Sequence, residues 1–247
     1  MPIIRILLVL LALASPALAQ DGAHDAAAAR EAAQAFRVYV DGVAKKGGRP
    51  DLTRPEVAVL LGHVFNLDAL AALPPAQASD MNWLMDWTDA ANATHKLFIL
   101  YGSRPPQPDL VALQRNMTEY GDQYAVAISF MIRGMAREAV AGQLFWAGLP
   151  PEQRTRIREE GMTGFRKNSA TYILTTVCAA IQGASKPENA RLVAAAIRDT
   201  SDVWASFLLP QDRARVIAEL ADLPHWAPDE TARADLAAFT AALRAVN

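Results

Sequence analysis

The sequence predicts an all-α protein, a multi-helix bundle of about eight helices, and three observations support this fold class. Alanine, the best helix former, occupies 49 of the 247 positions. Proline followed closely by an acid or an amide recurs along the chain, as it does at helix starts. Apolar residues return every three or four positions. The one run suited to a strand, Tyr172 to Val177, has no partner strand.

The first twenty residues predict an export signal. Arg5 precedes an uncharged apolar run from Ile6 to Ala14, Pro16 is expected to break any helix, and small residues precede Gln20. We therefore expect a cleavable signal peptide over residues 1–19. The apolar run is shorter than the ~20 residues that a permanent membrane anchor needs. The alternative is an anchor that stays uncleaved.

Seven further helix starts are predicted from proline. A proline has no N–H to donate and fits the first helical turn, where acids also meet the positive end of the helix dipole. Together with a first helix near His24, these starts give about eight helices. Thr53 to Glu56 and Ser185 to Glu188 have the spacing of capping boxes. The seven prolines are Pro55, Pro75, Pro108, Pro151, Pro187, Pro210 and Pro228.

Apolar residues at helical spacing predict which face of each helix is buried. The segment from about 79 to 102 carries aromatic residues on one face, with Asp86 and Asp89 opposite in solvent. The spacing from Leu110 to Met135 predicts one long helix with a bend at Gly121. The other stripes are Phe36 to Val43, Val57 to Val64, Leu192 to Phe207 and Ala232 to Val246.

Two segments are apolar nearly all round, which is typical of helices surrounded by other helices. They are Tyr124 to Trp146 and Ala170 to Ile181, and we expect them to be neighbouring, antiparallel central helices. Residues 20–247 are predicted to form a single domain, with a weak internal boundary near 183–186.

The sequence contains no motif for a cofactor, a metal ion or a catalytic centre. HExxH, CxxC, GxSxG and GxGxxG are absent, and no two of the four histidines lie one helical turn apart. His95, next to Lys96, is expected near the exposed side of its helix. Cys178 is the only cysteine, and its apolar neighbours predict a buried core residue. We predict no cofactor, no metal site and no catalytic residue.

Arg133 and Arg137 form the most specific candidate for a binding site. They are one helical turn apart within a helix predicted to be central, and a buried guanidinium needs an anionic partner. That partner is either Glu138 or another acid of the protein, or the carboxylate or phosphate of a ligand.

Aromatic and methionine side chains form either ordinary core or the lining of an apolar cavity. The set comprises Trp83, Trp87, Tyr120, Tyr124, Phe130, Met131, Met135, Phe145, Trp146, Phe165 and Tyr172. The ligand-binding residues predicted from both sets are Arg133, Arg137, Glu138, Tyr124 and Trp146.

The sequence therefore predicts an exported protein, periplasmic or secreted, that binds an unknown protein or small molecule without catalysis. A binder of a small anionic or amphipathic ligand through Arg133 and Arg137 is the first alternative. An enzyme without a recognisable motif is the second. The formal net charge of −2 disfavours nucleic acid as a partner. No transmembrane span is expected after removal of the signal peptide.

Overall fold

The chain folds into α-helices, and no strand occurs in residues 3–103 and 109–246, which the computed structural model describes. This confirms the all-α prediction. Short 3₁₀ turns cover Ala78–Asp80 and Pro151–Gln153, and a π-helical turn, Ile173–Val177, joins α7 to α8. The helices are α1 Ile3–Lys45, α2 Pro55–Val64, α3 Leu67–Ala72, α4 Met81–Ile99, α5 Leu110–Glu119, α6 Gly121–Gly148, α7 Arg156–Tyr172, α8 Cys178–Gln182, α9 Pro187–Asp199, α10 Ser201–Phe207, α11 Pro210–Leu220, α12 Leu223–Trp226 and α13 Glu230–Ala245.

The described residues contain more helical segments than the proline starts predict. Pro55, Pro187 and Pro210 are the first residues of α2, α9 and α11, as expected. Pro151 begins a 3₁₀ turn and not an α-helix, and Pro108 lies outside the described residues. Among the additional helices, α3 and α10 begin without a proline. Asn66 caps α3 by accepting a hydrogen bond from the Ala69 N–H, at 2.9 Å. The expected bend near Gly121 is a complete break, since α5 ends at Glu119 and α6 begins at Gly121.

Neither predicted capping box forms, because proline is the first helical residue at both sites. The N-cap is therefore the residue just before the proline, Arg54 in α2 and Lys186 in α9, and neither side chain caps its helix. Thr53 instead donates to Asp51 from its N–H at 3.0 Å and from its hydroxyl at 2.6 Å. A capping box does occur between Gln77 and Asp80, before α4.

Helix α6 lies at the centre of the bundle. No residue from Tyr124 to Gln143 is exposed, and α6 packs most extensively against α4 and α9. Helix α4 runs antiparallel to α6 and comes closest at Gly134, where a Cβ atom would lie 2.7 Å from Thr88 Cγ2. The side chains of Trp87 and Phe130 pack at this contact with ring centroids 5.2 Å apart.

The second predicted central helix has one exposed side. Ala170 to Ile181 spans the end of α7, the π turn and α8, and both Thr171 and Thr175 are exposed. The prediction of two fully surrounded helices is therefore wrong for this segment. Its buried side contains Ile173, Val177 and Ile181, and Cys178 is buried there as expected. The sequence does not reveal this exposed side, because alanine and threonine occur both at the surface and in the core of proteins.

His95 is buried, contrary to the expectation from its neighbour Lys96. Only 5% of the residue is exposed, and burial lowers the pKa of the imidazole to about 4. The reason is that α1 and α6 both pack against α4, so that α4 is buried on two sides. His95 faces Tyr124 of α6.

Helix α1 runs from Ile3 to Lys45 without a break at Pro16, so the predicted interruption at this proline is wrong. Among the residues whose side chains are described, packing of α1 begins at Gly22, which is buried. A Cβ atom on Gly22 would lie 2.8 Å from the Trp83 ring. The helix therefore docks directly onto α4 from this point.

One window of the described residues, Pro55–Ala72, is long and apolar enough to cross a membrane by composition alone. The chain there forms two short helices, α2 and α3, separated at Phe65 and Asn66. Ten helical residues extend only about 15 Å, whereas the apolar part of a bilayer is about 30 Å thick. The main hydrophobic core includes both Ile181 and Ala190, which lie on either side of residues 183–186.

Candidate ligand-binding cleft

A cleft of about 880 Å³ opens between α4, α6 and α7. Its size lies within the range of ligand pockets, about 300–1,000 Å³. Methionine and aromatic side chains form part of its wall, and thioether groups adapt to an irregular apolar ligand. The apolar side chains that line it are Met81, Met85, Phe145, Trp146, Met162 and Phe165.

Three glycines keep the cleft open. Gly142 forms part of the α6 wall, and a Cβ atom there would contact the Met162 and Met81 methyl groups at 3.4 and 3.7 Å. Gly161 and Gly164 line the α7 wall, and a Cβ atom at either would meet nothing within 4 Å. Because these positions lack side chains, α7 leaves unfilled space beside α6.

The carboxyl group of Glu138 lies in the wall of this cleft and is almost completely buried. The residue is 6% exposed, and the Thr88 hydroxyl donates a hydrogen bond to its Oε1. No cationic side chain forms an ion pair with Glu138 in the described part of the chain. Burial raises its pKa to about 7, aided by the nearby negative charge of Asp89 and opposed by the Thr88 hydrogen bond.

The Thr88 hydroxyl can serve Glu138 in both protonation states. Its oxygen lies 3.2 Å from the Met85 carbonyl as well as beside the Glu138 carboxyl. When Glu138 is ionised, Thr88 donates its one proton to the carboxylate. When Glu138 is protonated, the carboxyl donates to Thr88, which then donates to the Met85 carbonyl. The cleft therefore tolerates loss and gain of this proton without an unpaired hydroxyl.

The acidic and aromatic parts of the cleft are separated along α6. Phe145 follows Glu138 by seven residues, which is about 11 Å along a helix. The other charged residues of the cleft wall are the exposed Asp89 of α4 and the exposed Arg158 of α7. Arg158 donates to the Gln153 carbonyl oxygen at 2.7 Å, at the start of α7. This arrangement suits an amphipathic molecule with its polar head near Glu138.

Arg133 and Arg137 lie on another side of α6, in a separate cavity of about 380 Å³. Arg133 forms an ion pair with Asp199 of α9, at 2.9 Å. Arg137 donates to the carbonyl oxygen of Pro74, and its buried Nε atom has no hydrogen-bond partner within residues 3–103 and 109–246. The partner acid that the sequence predicts for Arg133 is thus 66 positions away, and Glu138 does not pair with either arginine.

Tyr124 lines neither cavity. It is buried near the start of α6, and its ring lies 6.4 Å from that of His95. Burial raises the pKa of its hydroxyl to about 12. The hydroxyl of Tyr172 is buried nearby without a hydrogen-bond partner. His95 and Tyr124 are therefore neighbouring polar side chains inside the core.

The structure divides the predicted site residues into three groups. Glu138 and Trp146 share the large cleft, Arg133 and Arg137 share the smaller cavity, and Tyr124 is in the core. From the predicted aromatic set, the cleft contains Phe145, Trp146 and Phe165. The sequence does not identify Thr88, Gly161 and Gly164 as cleft residues, and Asp89, which is exposed as expected, lies in the cleft wall as well. Apolar spacing carries no signal for them because they are polar or lack a side chain.

No group of three or more His, Cys, Asp or Glu side chains in the described residues is arranged to hold a metal ion. Comparisons of the chain with protein-family models, curated proteins and solved structures find no match. The geometry of the cleft is therefore the basis for a functional assignment.

Proposed function

We propose that the protein binds an amphipathic small molecule with a cationic head in the cleft between α4, α6 and α7. The observation that supports this most directly is a buried carboxyl group without a cationic partner at one part of an apolar cleft. An ionised carboxylate in such surroundings is stabilised by a cation that brings its own hydrogen bonds. The apolar part of the ligand then packs on methionine and aromatic side chains.

The charges of the cleft favour an amine head over a carboxylate head. Glu138 and Asp89 are neighbours and both carry negative charge when ionised, whereas Arg158 is exposed and already bonds to a backbone carbonyl. A carboxylate head beside Glu138 would be repelled, and an alkylammonium would be attracted by both acids. The bound molecule is therefore a cationic amphiphile.

Filling the cleft from α7 tests this proposal. We expect Gly164→Leu and Gly161→Leu each to weaken binding of decylamine, below its micellar concentration, by about tenfold or more, because a leucine occupies the ligand volume. Neither variant should unfold the protein, since both replace a helical glycine by a better helix former at a position where a Cβ atom meets nothing within 4 Å. Isothermal titration calorimetry measures the affinity and thermal unfolding measures the stability.

The matched control is Gly42→Leu in α1, where a Cβ atom likewise meets nothing within 4 Å and no cleft residue is involved. This variant should bind decylamine like the unmodified chain. Decanol, with the same chain length and no charge, should bind more weakly than decylamine. The proposal is wrong if decylamine does not bind, or if the three leucine variants affect its affinity equally.

The same protein is proposed to be exported. The support is the amino-terminal sequence, in which a positive charge and an apolar run precede small residues before Gln20. Described packing of α1 begins at Gly22, so removal of residues 1–19 leaves the packed part of the helix intact.

We expect the mature protein from a bacterial exported fraction to begin at Gln20. Amino-terminal sequencing or intact mass measurement identifies the first residue. The substitution Ala19→Arg puts a large charged residue where signal peptidase requires a small one. This precursor should therefore stay uncleaved. Recovery of the chain with residues 1–19 attached and inside the cytoplasm would refute export.

A further inference from the structure

We propose that the cavity containing Arg133 and Arg137 is a second binding site, which takes an aliphatic carboxylate with its anionic head on the two guanidinium groups. This site is independent of the cleft proposed above. It has its own volume, about 380 Å³, and no lining residue in common with the cleft.

The charges around this cavity do not balance. Asp199 pairs with Arg133 at 2.9 Å and with Arg198 at 2.6 Å, and Arg198 also pairs with Asp235 at 2.6 Å. Arg137 adds a further positive charge. The charged side chains that line the cavity itself are thus two guanidinium cations, Arg133 and Arg137, and one carboxylate, Asp199, so that a bound anion would complete the set.

Arg137 carries the unmatched charge. It is half-buried, and no carboxylate lies within ion-pair distance in the described part of the chain. Asp80 attracts it from farther away, but that carboxylate already accepts from the Gln77 N–H at 2.8 Å and from the Trp83 indole at 3.3 Å. Burial accordingly lowers the pKa of Arg137. Its buried Nε has no hydrogen-bond partner among the described residues, so the protein alone does not satisfy this guanidinium.

The walls of the cavity determine what kind of anion fits. A guanidinium presents paired N–H donors that match the two oxygens of a carboxylate. The side chains around the arginines are aliphatic, which disfavours a fully hydrated inorganic anion and favours a short hydrocarbon chain. These side chains are Leu70, Pro75, Ala76, Val140 and Val203.

Calorimetric titration with octanoate tests the site. We expect octanoate to bind the full chain, and Arg137→Gln to weaken this binding about ten- to hundredfold, because a charge-assisted pair is lost. Arg137→Lys should recover part of the affinity, since it restores the charge without the paired donors. Arg156→Gln is the control, because Arg156 is exposed and lines neither cavity.

A second variant keeps the test valid if Arg137→Gln unfolds. Ala71 is exposed and lines the cavity, so that Ala71→Trp should fill the space and prevent octanoate binding while both arginines remain. Octanoate should still bind Gly164→Leu, and decylamine should still bind Arg137→Gln, which separates this site from the cleft. Inorganic phosphate and octylamine should not compete with octanoate. Absence of octanoate binding at millimolar concentration, or binding unchanged in both variants, would overturn the proposal.

Discussion

Decylamine binding is expected to weaken about tenfold for each pH unit below pH 7, and about a hundredfold between pH 8 and pH 5. The reason is that the ligand's ammonium pairs with ionised Glu138, whose pKa is raised to about 7 by burial. Below that pH the carboxyl is protonated and the charge pair is lost. An alkylammonium remains protonated throughout this range. Calorimetric titration at a series of pH values measures the slope.

Glu138→Gln should bind decylamine weakly at all pH values between 5 and 8, with no inflection near 7. Asp89→Asn is the matched control. It removes the neighbouring negative charge that raises the Glu138 pKa, so that the inflection should move to lower pH and remain visible. A pH profile that is the same in Glu138→Gln and in the unmodified chain would exclude Glu138 as the partner of the ligand head.

Three other buried groups of the described chain titrate outside this pH range. His95 is the buried histidine of α4, and burial lowers its pKa to about 4. Burial raises the pKa of Cys178 to about 11 and that of Tyr124 to about 12. Among the residues that line the cleft, the other charged ones are Asp89 and Arg158, and no histidine is present.

Glu138 also has a defined effect on the stability of the free protein. Its folded pKa of about 7 exceeds the ordinary value of 4.5, so the folded chain holds the proton more tightly than the unfolded chain. The stabilisation from this proton is complete below pH 4.5 and is lost as the pH rises through 7. Above pH 7, Glu138→Gln should therefore gain stability relative to the unmodified protein in urea unfolding, and decylamine should reverse the order.

The helical fold is predictable from the sequence because its signals are local. Proline in a first turn at Pro55, Pro187 and Pro210 fixes where three helices begin. The apolar circumference of Tyr124 to Trp146 identifies the central helix, because a helix that is apolar on all sides is stable only when other helices cover it. The prediction is wrong at the end of this segment, where Leu144 and Phe145 are exposed. Both signals depend on residues within a few turns of each other.

The cleft is not predictable in this way, because it depends on how three helices are spaced. Glu138 is buried beside Thr88, which lies 50 positions earlier in the chain. The open volume results from Gly161 and Gly164, whose missing side chains leave no periodic pattern. The sequence predicts that Arg133 needs an anionic partner. It does not show which of the 26 acidic residues that partner is, and in the structure it is Asp199.

Replacing Gly134 by alanine is expected to destabilise the protein by about 1–3 kcal/mol, although alanine is the better helix former. A Cβ atom at this position would lie 2.7 Å from Thr88 Cγ2, which is far inside van der Waals contact. Thr88 has no free space to turn into, since its hydroxyl is bonded to Glu138 and a β-branched side chain has few rotamers. Either α4 must move away from α6 or the hydrogen bond to Glu138 must break.

The opposite sign is expected for Gly42→Ala in α1, where a Cβ atom meets nothing within 4 Å. This control should stabilise the protein by about 0.5–1 kcal/mol, as the substitution does in an open helix interior. Urea unfolding of both variants gives the two free energies. If Gly134→Ala is as stable as Gly42→Ala, the helices do not approach each other this closely. Because Thr88 connects this contact to Glu138, Gly134→Ala should also shift the midpoint of the pH profile of decylamine binding, whereas Gly42→Ala should leave it unchanged.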